Sequence, residues 1–322
     1  MMLGQNENST QLAIVKKKYG FDKSIGRQYL YYLNDLSPIS FHSNLVEDYT
    51  YLKAKKYSAA KLFTIGKTTA VLKLPYLRES FTKQGKKVSS VLAETLPNTF
   101  VLAISAISIA FILGISLGVL SALKKDSFLD KAIQILSTIG MSVPSFFSAI
   151  VFAWFFGFVL HKYTHLEMTG SLYELDDFGE AVNIKWKNLM LPAFVLGIRP
   201  LAVIIQLMRN SLLEVLNQDY IRTARAKGLS EIKIIKNHAI KNALNPVVTA
   251  ISGWFASMLA GAVFVEYIFG WNGLGKEIVN ALNTLDLPVI MGSVLIIALL
   301  FIIINIFVDV IYAWLDPKVT LE

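Results

Sequence analysis

"DYIRTARAKGLSEIKIIKNHAIKNALNP" occupies residues 219–246. It is polar, helical in pattern and rich in Lys and Arg, yet long apolar runs flank it at 189–207 and 247–265. Gly228 divides it. The part before reads as a short helix with Gly228 as a left-handed C-cap, and Ser230 stands where a second helix would be capped. In that second helix Ile232, Ile235, Ala239 and Ala243 make one apolar stripe, with Lys233, Lys236 and Lys241 on other faces. Asn245-Pro246 ends it and opens the next apolar run. Pattern alone leaves two uses open. One is an amphipathic helix held flat on a membrane by anionic lipid; the other is a docking knob for a soluble subunit.

The surroundings define what this segment is embedded in. The 322 residues are 54% hydrophobic and only 17% charged, with positive mean hydropathy, where a soluble domain of this length carries more charge. The apolar residues gather into blocks of about 20, enough to cross about 30 Å of hydrocarbon. Five spans are predicted, at 99–123, 132–160, 189–207, 246–267 and 289–315, so the fold class is an all-α polytopic membrane protein. Pro144 lies inside the second span and predicts a kink there.

A net charge of +8 does not call for nucleic acid, because Lys and Arg collect in cytoplasmic loops. Lys124, Lys125, Lys131, Arg209, Arg222, Arg225, Lys227, Lys233, Lys236, Lys241 and Lys318 fall on one side of the predicted spans; only Lys162, Lys185, Lys187 and Lys276 fall on the other. Residues 209–244 are therefore predicted cytoplasmic, and 161–188 and 268–287 external. Residues 1–95 are polar and mixed, with helices predicted around 11–19 and 27–36 and no apolar leader ahead of them. Without cysteine, disulfides and thiolate metal sites are excluded.

Several residues invite sharper readings. "IGKTT" at 65–69 has the tail of a phosphate-binding loop, but Lys61 stands where the first glycine belongs. His161 and His165 are spaced i, i+4, as a metal clasp would be, yet have no third ligand nearby and read as loop residues. Arg199 precedes Arg209 by ten residues, about 15 Å at helical rise, which puts it at mid-membrane depth. It is either a buried Arg held by carbonyls or a partner subunit, or a pore-lining charge that meets a substrate carboxylate. Glu266 and Asp309 lie near span ends and read as solvated or paired.

The segment at 219–246 closely resembles the EAA loop of binding-protein-dependent ABC importer permeases, in the form of the dipeptide/oligopeptide/nickel branch, first permease subunit. "ETLPNTFVLAISAISIAFILGISLGVLSALKKDSFLD" (94–130), "SVPSFF" (142–147), "LMRNSLLEVLNQDY" (207–220), "GAVFVEYIFGWNGLG" (261–275) and "DVIYAWLDPK" (309–318) are similar to that family too, in its order. The resemblance implies a type I ABC importer fold whose transmembrane permease domain is 96–316. It implies ATPase coupling through Tyr220, Arg222, Thr223, Ala224, Ala226, Lys227, Gly228, Leu229 and His238, and a translocation pathway touching Arg199 and Pro144.

The partners implied are a second permease subunit, two ATP-binding cassette subunits and an external substrate-binding protein, in a cell (inner) membrane. No cofactor is expected in this chain, ATP and Mg being bound by the ATPase partners, and it is not itself expected to be an enzyme. The cargo implied is a peptide, with nickel or another small solute as the alternative. "STQLAIVKKKYGFDKSIGRQYLYYLNDL" (9–36) resembles the external stretch after the family's first span, so that span is expected to be missing and 1–95 to be external. Residues 43–80 exceed the family's usual length and suggest no role. A secondary transporter or channel is the rival class. No Asp or Glu occupies the central turns of the predicted spans, which argues against proton coupling. No metal cluster or nucleophile–base pair in the spans points to a membrane enzyme.

Overall fold

The computed structural model describes residues 16–17, 19–52, 56–175 and 182–315. They fall into two compact units, one within 1–93 together with Ala281–Gly292, the other within 94–280 and 293–322. The predicted helix at 11–19, the acidic stretch 176–180 and the end of "DVIYAWLDPK" lie largely or wholly outside the described residues.

The first unit opens with α1 (Ile25–Leu36), which stops where Ser37 turns extended ahead of Pro38. Residues 43–80, to which the sequence reading gave no role, form most of an antiparallel sheet of β1 (Ile39–Ser43), β2 (Ala59–Ile65) and β3 (Thr68–Lys73), in the order β1-β3-β2. β3 is central and buries Ala70 and Val71, while β2 is an exposed edge whose register breaks at Lys61/Phe63. The "IGKTT" stretch is the β2–β3 hairpin turn. Gly66, at φ +58°, takes the first of its two loop positions, where a II′ turn favours glycine.

Beneath the sheet Asp35 is buried, accepting from Tyr57 Oη (2.7 Å) and Arg78 Nε (3.0 Å), while its carbonyl accepts from Lys73 Nζ. Asp286 clips the other end of this unit. Its carboxylate accepts from Ser80 Oγ, Phe81 N (3.1 Å), Thr82 N (3.2 Å) and Thr82 Oγ1 (2.8 Å).

The second unit is helical apart from a short hairpin, β4 (Tyr173–Leu175) with β5 (Val182–Ile184). Among the described residues three helices are long and apolar enough to cross a membrane, or up to five spans if each of two bent pairs counts as one. The predicted spans shift accordingly. The first becomes α2 (Val88–Leu123), which starts well before residue 99 and takes in Pro97. The helix survives there because Ala93, whose carbonyl Pro97 leaves without a helical donor, is exposed. The second is a corner rather than a kinked span. α3 (Phe128–Ser142) and α4 (Ser145–Trp154), which runs on through a π turn at Phe155–Val159, meet at 111°. Pro144 sits between them at φ −61°, ψ 140°, extended backbone that ends one helix and starts the next.

After α5 (His161–Thr164) comes α6 (Lys187–Leu216), 30 residues long, so the third span runs on through residues 208–216 to the edge of the charged segment. The segment itself is α7 (Asp219–Ala226), α8 (Glu231–Ile234), a π turn at Ile235–Ala239 and α9 (Ile240–Ala243). The fourth span breaks into α10 (Asn245–Gly261) and α11 (Val263–Phe269), bent by 58°. α12 (Leu274–Asn283) and α13 (Leu287–Leu315) complete the chain.

Small residues let α2 and α6 approach closely. A Cβ at Gly114 would meet Ile204 at 2.5 Å, one at Gly118 would meet Met208 at 2.7 Å, and one at Gly197 would meet the Ala106 carbonyl at 2.8 Å. Gly114 and Gly118 make the G-x-x-x-G spacing that packs helices where lipid supplies no hydrophobic drive. Two apolar clusters follow. One surrounds Leu102, Val195, Val265 and Trp271; the other holds Ile204, Met208 and Leu212 against Ile221, Ile234, Ala239 and Ala243.

Candidate functional site

The charged segment is seated on α6 by its own inward residues. Ile221 and Ala224 of α7 are buried, as are Ile234, Ala239 and Ala243. The stripe expected from Ile232 therefore begins two residues later. The π turn inserts one residue, so the buried positions run 234, 239, 243, and Ile232 is left 78% exposed.

Gly228 makes the turn at φ +76°. Leu229 N donates to Ala224 O (3.3 Å) and Gly228 N to Arg225 O (2.9 Å), the paired closure of a Schellman motif. The C-cap expected at Gly228 is thus present. Ser230 occupies the N-cap of α8 with no side-chain cap bond.

Of the coupling residues read from sequence, Tyr220, Arg222, Thr223, Ala226, Lys227, Gly228, Leu229 and His238 lie on the exposed side. Ala224 does not: it is packed into the cluster under α7 and serves to seat the segment. Asn242 ties the two halves together, donating to Tyr220 Oη (2.9 Å) and to His238 O (3.1 Å). Arg225 pairs with Glu231 across the Gly228 turn at 2.8 Å. Sequence reading missed Asn242 and Glu231, whose partners become neighbours only once the turn closes.

Above the segment, Arg209 makes a bidentate pair with Asp130, Nε and Nη2 each 2.7 Å from a carboxylate oxygen. Asp130 is buried and also accepts from Ser121 Oγ (2.5 Å) and Asp126 N (2.9 Å). Residues 79 apart in sequence thereby fasten α6 to the α2–α3 turn. At the other end of the unit Glu266, expected to be solvated or paired, is paired and fully buried. It accepts from Thr99 Oγ1 (2.7 Å), Gly275 N (2.6 Å) and Lys276 N (3.2 Å). The two amides belong to the first turn of α12, where a carboxylate caps free donors. The side chain of Asp309 lies outside the described residues.

Arg199 and Pro144 are both exposed, and among the described residues nothing pairs with the Arg199 guanidinium. His161 is exposed and its Nδ1 lies 2.8 Å from Leu166 O; among the described residues no His/Asp/Glu group is placed to hold a metal. In the first unit a cleft of about 730 Å³ is lined by Tyr31, Tyr49, Tyr76, Lys56, Arg78 and Glu79 among others, and holds none of the residues singled out from sequence.

Residues 114–321, which include α6, the Gly228 turn and both bent helix pairs, match the family described as "Binding-protein-dependent transport system inner membrane component". The chain belongs to this family. A putative peptide permease protein of Brucella suis is 38% identical over 243 residues, covering 76% of this chain and 75% of that one. The dipeptide transport system permease protein DppB of Bacillus subtilis is 38% identical over 243 residues, covering 76% and 74%. Among solved structures, the inward-facing MetNI methionine ABC transporter is similar with a TM-score of 0.54 at 18% identity, over 70% of this chain and 97% of that one.

That likeness gives the fold, that of type I ABC importer permeases. This permease is accordingly a multi-pass inner-membrane component of an importer, a membrane subunit rather than the ATPase.

Proposed function

We propose that this permease moves peptides handed over by an external binding protein, together with a second permease and two ATP-binding cassette subunits that hold ATP and Mg. The cargo reading is supported by relatives named as peptide and dipeptide permeases at 38% identity over three-quarters of the chain. Residues 209–244 are cytoplasmic and the ATPase docks on the α7–α8 turn. Residues 1–95 and the loops at 161–188 and 268–287 are external.

One observation carries the docking proposal. Around the turn three large apolar side chains are open, Tyr220 (43% exposed), Leu229 (37%) and Ile232 (78%), interleaved along the chain with exposed Arg222, Lys227 and Lys233, and these make the proposed crest. Beneath it lies a rigid seat of buried Ile221, Ile234 and Ala239. Exposed apolar side chains mixed with charged ones suit a protein interface, whereas a membrane-surface helix would turn a continuous apolar face to lipid along its whole length.

Ile232→Asp tests the proposal. The side chain is exposed, so the fold tolerates the change, while the docked interface loses an anchor and gains a buried charge. The ATPase subunit is expected to dissociate on copurification and transport to fall at least tenfold. An intact, transporting complex would remove this turn from the ATPase interface.

A further inference from the structure

The geometry points to a polar lane along α6, Arg199–Gln206–Asn210–Asn217, as this chain's share of the translocation path, with Arg199 the group that receives the free carboxylate of a peptide cargo. The inference rests on the peptide-permease reading and adds to it the residue that recognises one end of the cargo.

α6 turns about 100° per residue, so positions 199, 206, 210 and 217 fall within about 20° of one line. Exposure follows that line: Arg199, Asn210 and Asn217 are exposed and Gln206 is half-buried. The opposite faces are closed, with Ile204, Ile205, Met208 and Leu212 buried against the chain's own helices. From Arg199, at mid-membrane depth, to Asn217, the C-cap of α6 on the cytoplasmic side, the lane is about 27 Å long at helical rise, so it joins the membrane interior to the cytoplasm.

Arg199 and Gln206, a guanidinium and an amide on the open face of the spanning part of α6, are costly against lipid, so that face meets water or protein. Nothing among the described residues neutralises Arg199, whereas Arg209, one position off the lane, is fully engaged by Asp130. Two arginines on one helix thus differ: one is locked by its own carboxylate, and the other offers five donors and a permanent charge to a carboxylate that must come from outside the chain. Gln206 and Asn210 carry amides able both to donate and to accept, which suits the peptide bonds that follow the carboxylate. Asn210 Oδ1 accepts from Arg209 Nη1 at 3.5 Å, so Arg209 orients it from the side.

The sequence has no cysteine, so a single introduced thiol reports only on its own position. In the assembled transporter, Gln206→Cys and Asn210→Cys are reacted with an anionic sulfonate methanethiosulfonate and its cationic trimethylammonium analogue. Both thiols are expected to react, and adding Arg199→Gln is expected to lower the anionic-to-cationic rate ratio several-fold. In proteoliposomes with the cognate binding protein, Arg199→Gln is expected to lower dialanine uptake about tenfold, the worth of a charge-assisted pair, with partial rescue by Arg199→Lys. Thiols inert to both reagents, or a rate ratio indifferent to Arg199, would overturn the lane. Wild-type transporter that carries no dialanine would overturn the peptide reading instead, while the thiol rates still decide whether the lane is wet and whether Arg199 draws anions.

Discussion

Removing one member of the Asp130–Arg209 pair is expected to cost unequal amounts, depending on which member goes. The Asp130 carboxylate is 3% exposed and the Arg209 side chain 18% exposed, so the pair is mostly withdrawn from solvent. Breaking a buried pair by removing one partner costs about 3–5 kcal/mol, mainly by stranding the other charge. The two stranded states differ here. In Arg209→Met the carboxylate keeps Ser121 Oγ and Asp126 N as donors, so its loss falls toward about 2–3 kcal/mol. In Asp130→Leu the guanidinium loses both strong acceptors and keeps only the long contact to Asn210, while the Ser121 hydroxyl, still accepting from Gln134 Nε2, and the Asp126 amide each lose their acceptor. That variant belongs at the upper end, about 4–5 kcal/mol. The double variant Asp130→Leu/Arg209→Met strands no charge and is expected to recover most of the loss. The assay is thermal inactivation of the detergent-solubilised complex, read as apparent melting temperature for the two single variants and the double. Equal shifts for the singles, or a double variant as unstable as their sum, would refute the reasoning.

Four further expectations can be checked singly. Gly228→Asn is expected to retain ATPase copurification and Gly228→Val to lose it: a Cβ there meets nothing within 4 Å, so the change acts only through the φ of +76°, which Asn tolerates and a β-branched residue does not. Gly118→Leu is expected to block insertion or assembly, measured as membrane-integrated yield, because its Cβ would overlap Met208 Cβ at 2.7 Å and the Ile205 carbonyl at 2.9 Å. Asp286 is partly desolvated, which pushes its carboxyl up, but the donors from Ser80, Phe81 and Thr82 outweigh this and hold it below its ordinary value of 3.8. The clip is therefore fully present above that value and is lost as pH falls below it, so amide exchange at 81–82 is expected to accelerate only in strong acid, and at all pH values in Asp286→Ala. With single cysteines on this cysteine-free background, Asn183→Cys, at an exposed position of the 161–188 loop, is expected to label from outside intact cells and Ser230→Cys only from the cytoplasmic side; the reverse pattern would invert the proposed orientation.

Much of the membrane unit was legible because its signals are local. Apolar runs long enough to span announce α2, α6 and α13 without any partner, and a glycine between two short amphipathic helices announces the turn at 228. What failed was whatever depends on a distant atom or on a break in periodicity. Pro144 was visible, but whether it bends a helix or separates two depends on the backbone beside it, and here both Val143 and Pro144 are extended and the corner is 111°. The π turn at Ile235–Ala239 shifted the buried stripe by one residue and moved Ile232 from the expected core to the exposed crest. Asp130–Arg209 and Thr99–Glu266 join residues 79 and 167 apart, and no spacing in a single sequence encodes such pairs. The sheet at 39–73 escaped because β2 is exposed almost throughout and shows no alternation of buried and open positions.

If the ATPase docks on the turn as proposed, the arrangement on α6 gives its motion a route to the proposed lane. α6 carries Arg199, then Arg209, and only Asn217 and Gln218 separate its end from α7, so the lock and the lane share one helix and the crest follows it directly within the same unit. Below Arg209 that helix is fastened twice, to α7–α9 by the cluster around Met208 and Leu212 and to α3 by Asp130. A push on the crest is therefore delivered to the lower half of α6 and the α2–α3 turn together. The upper half is less constrained along its own axis, because Pro200 has no N–H and leaves the Leu196 carbonyl without its helical donor. Bending is cheapest at that point, one residue from Arg199. A small tilt of the lower half then changes where the Arg199 guanidinium points without disturbing the pair at Asp130, which places the flexible joint beside the charge proposed to meet the cargo and the rigid joint beside the turn proposed to dock the ATPase.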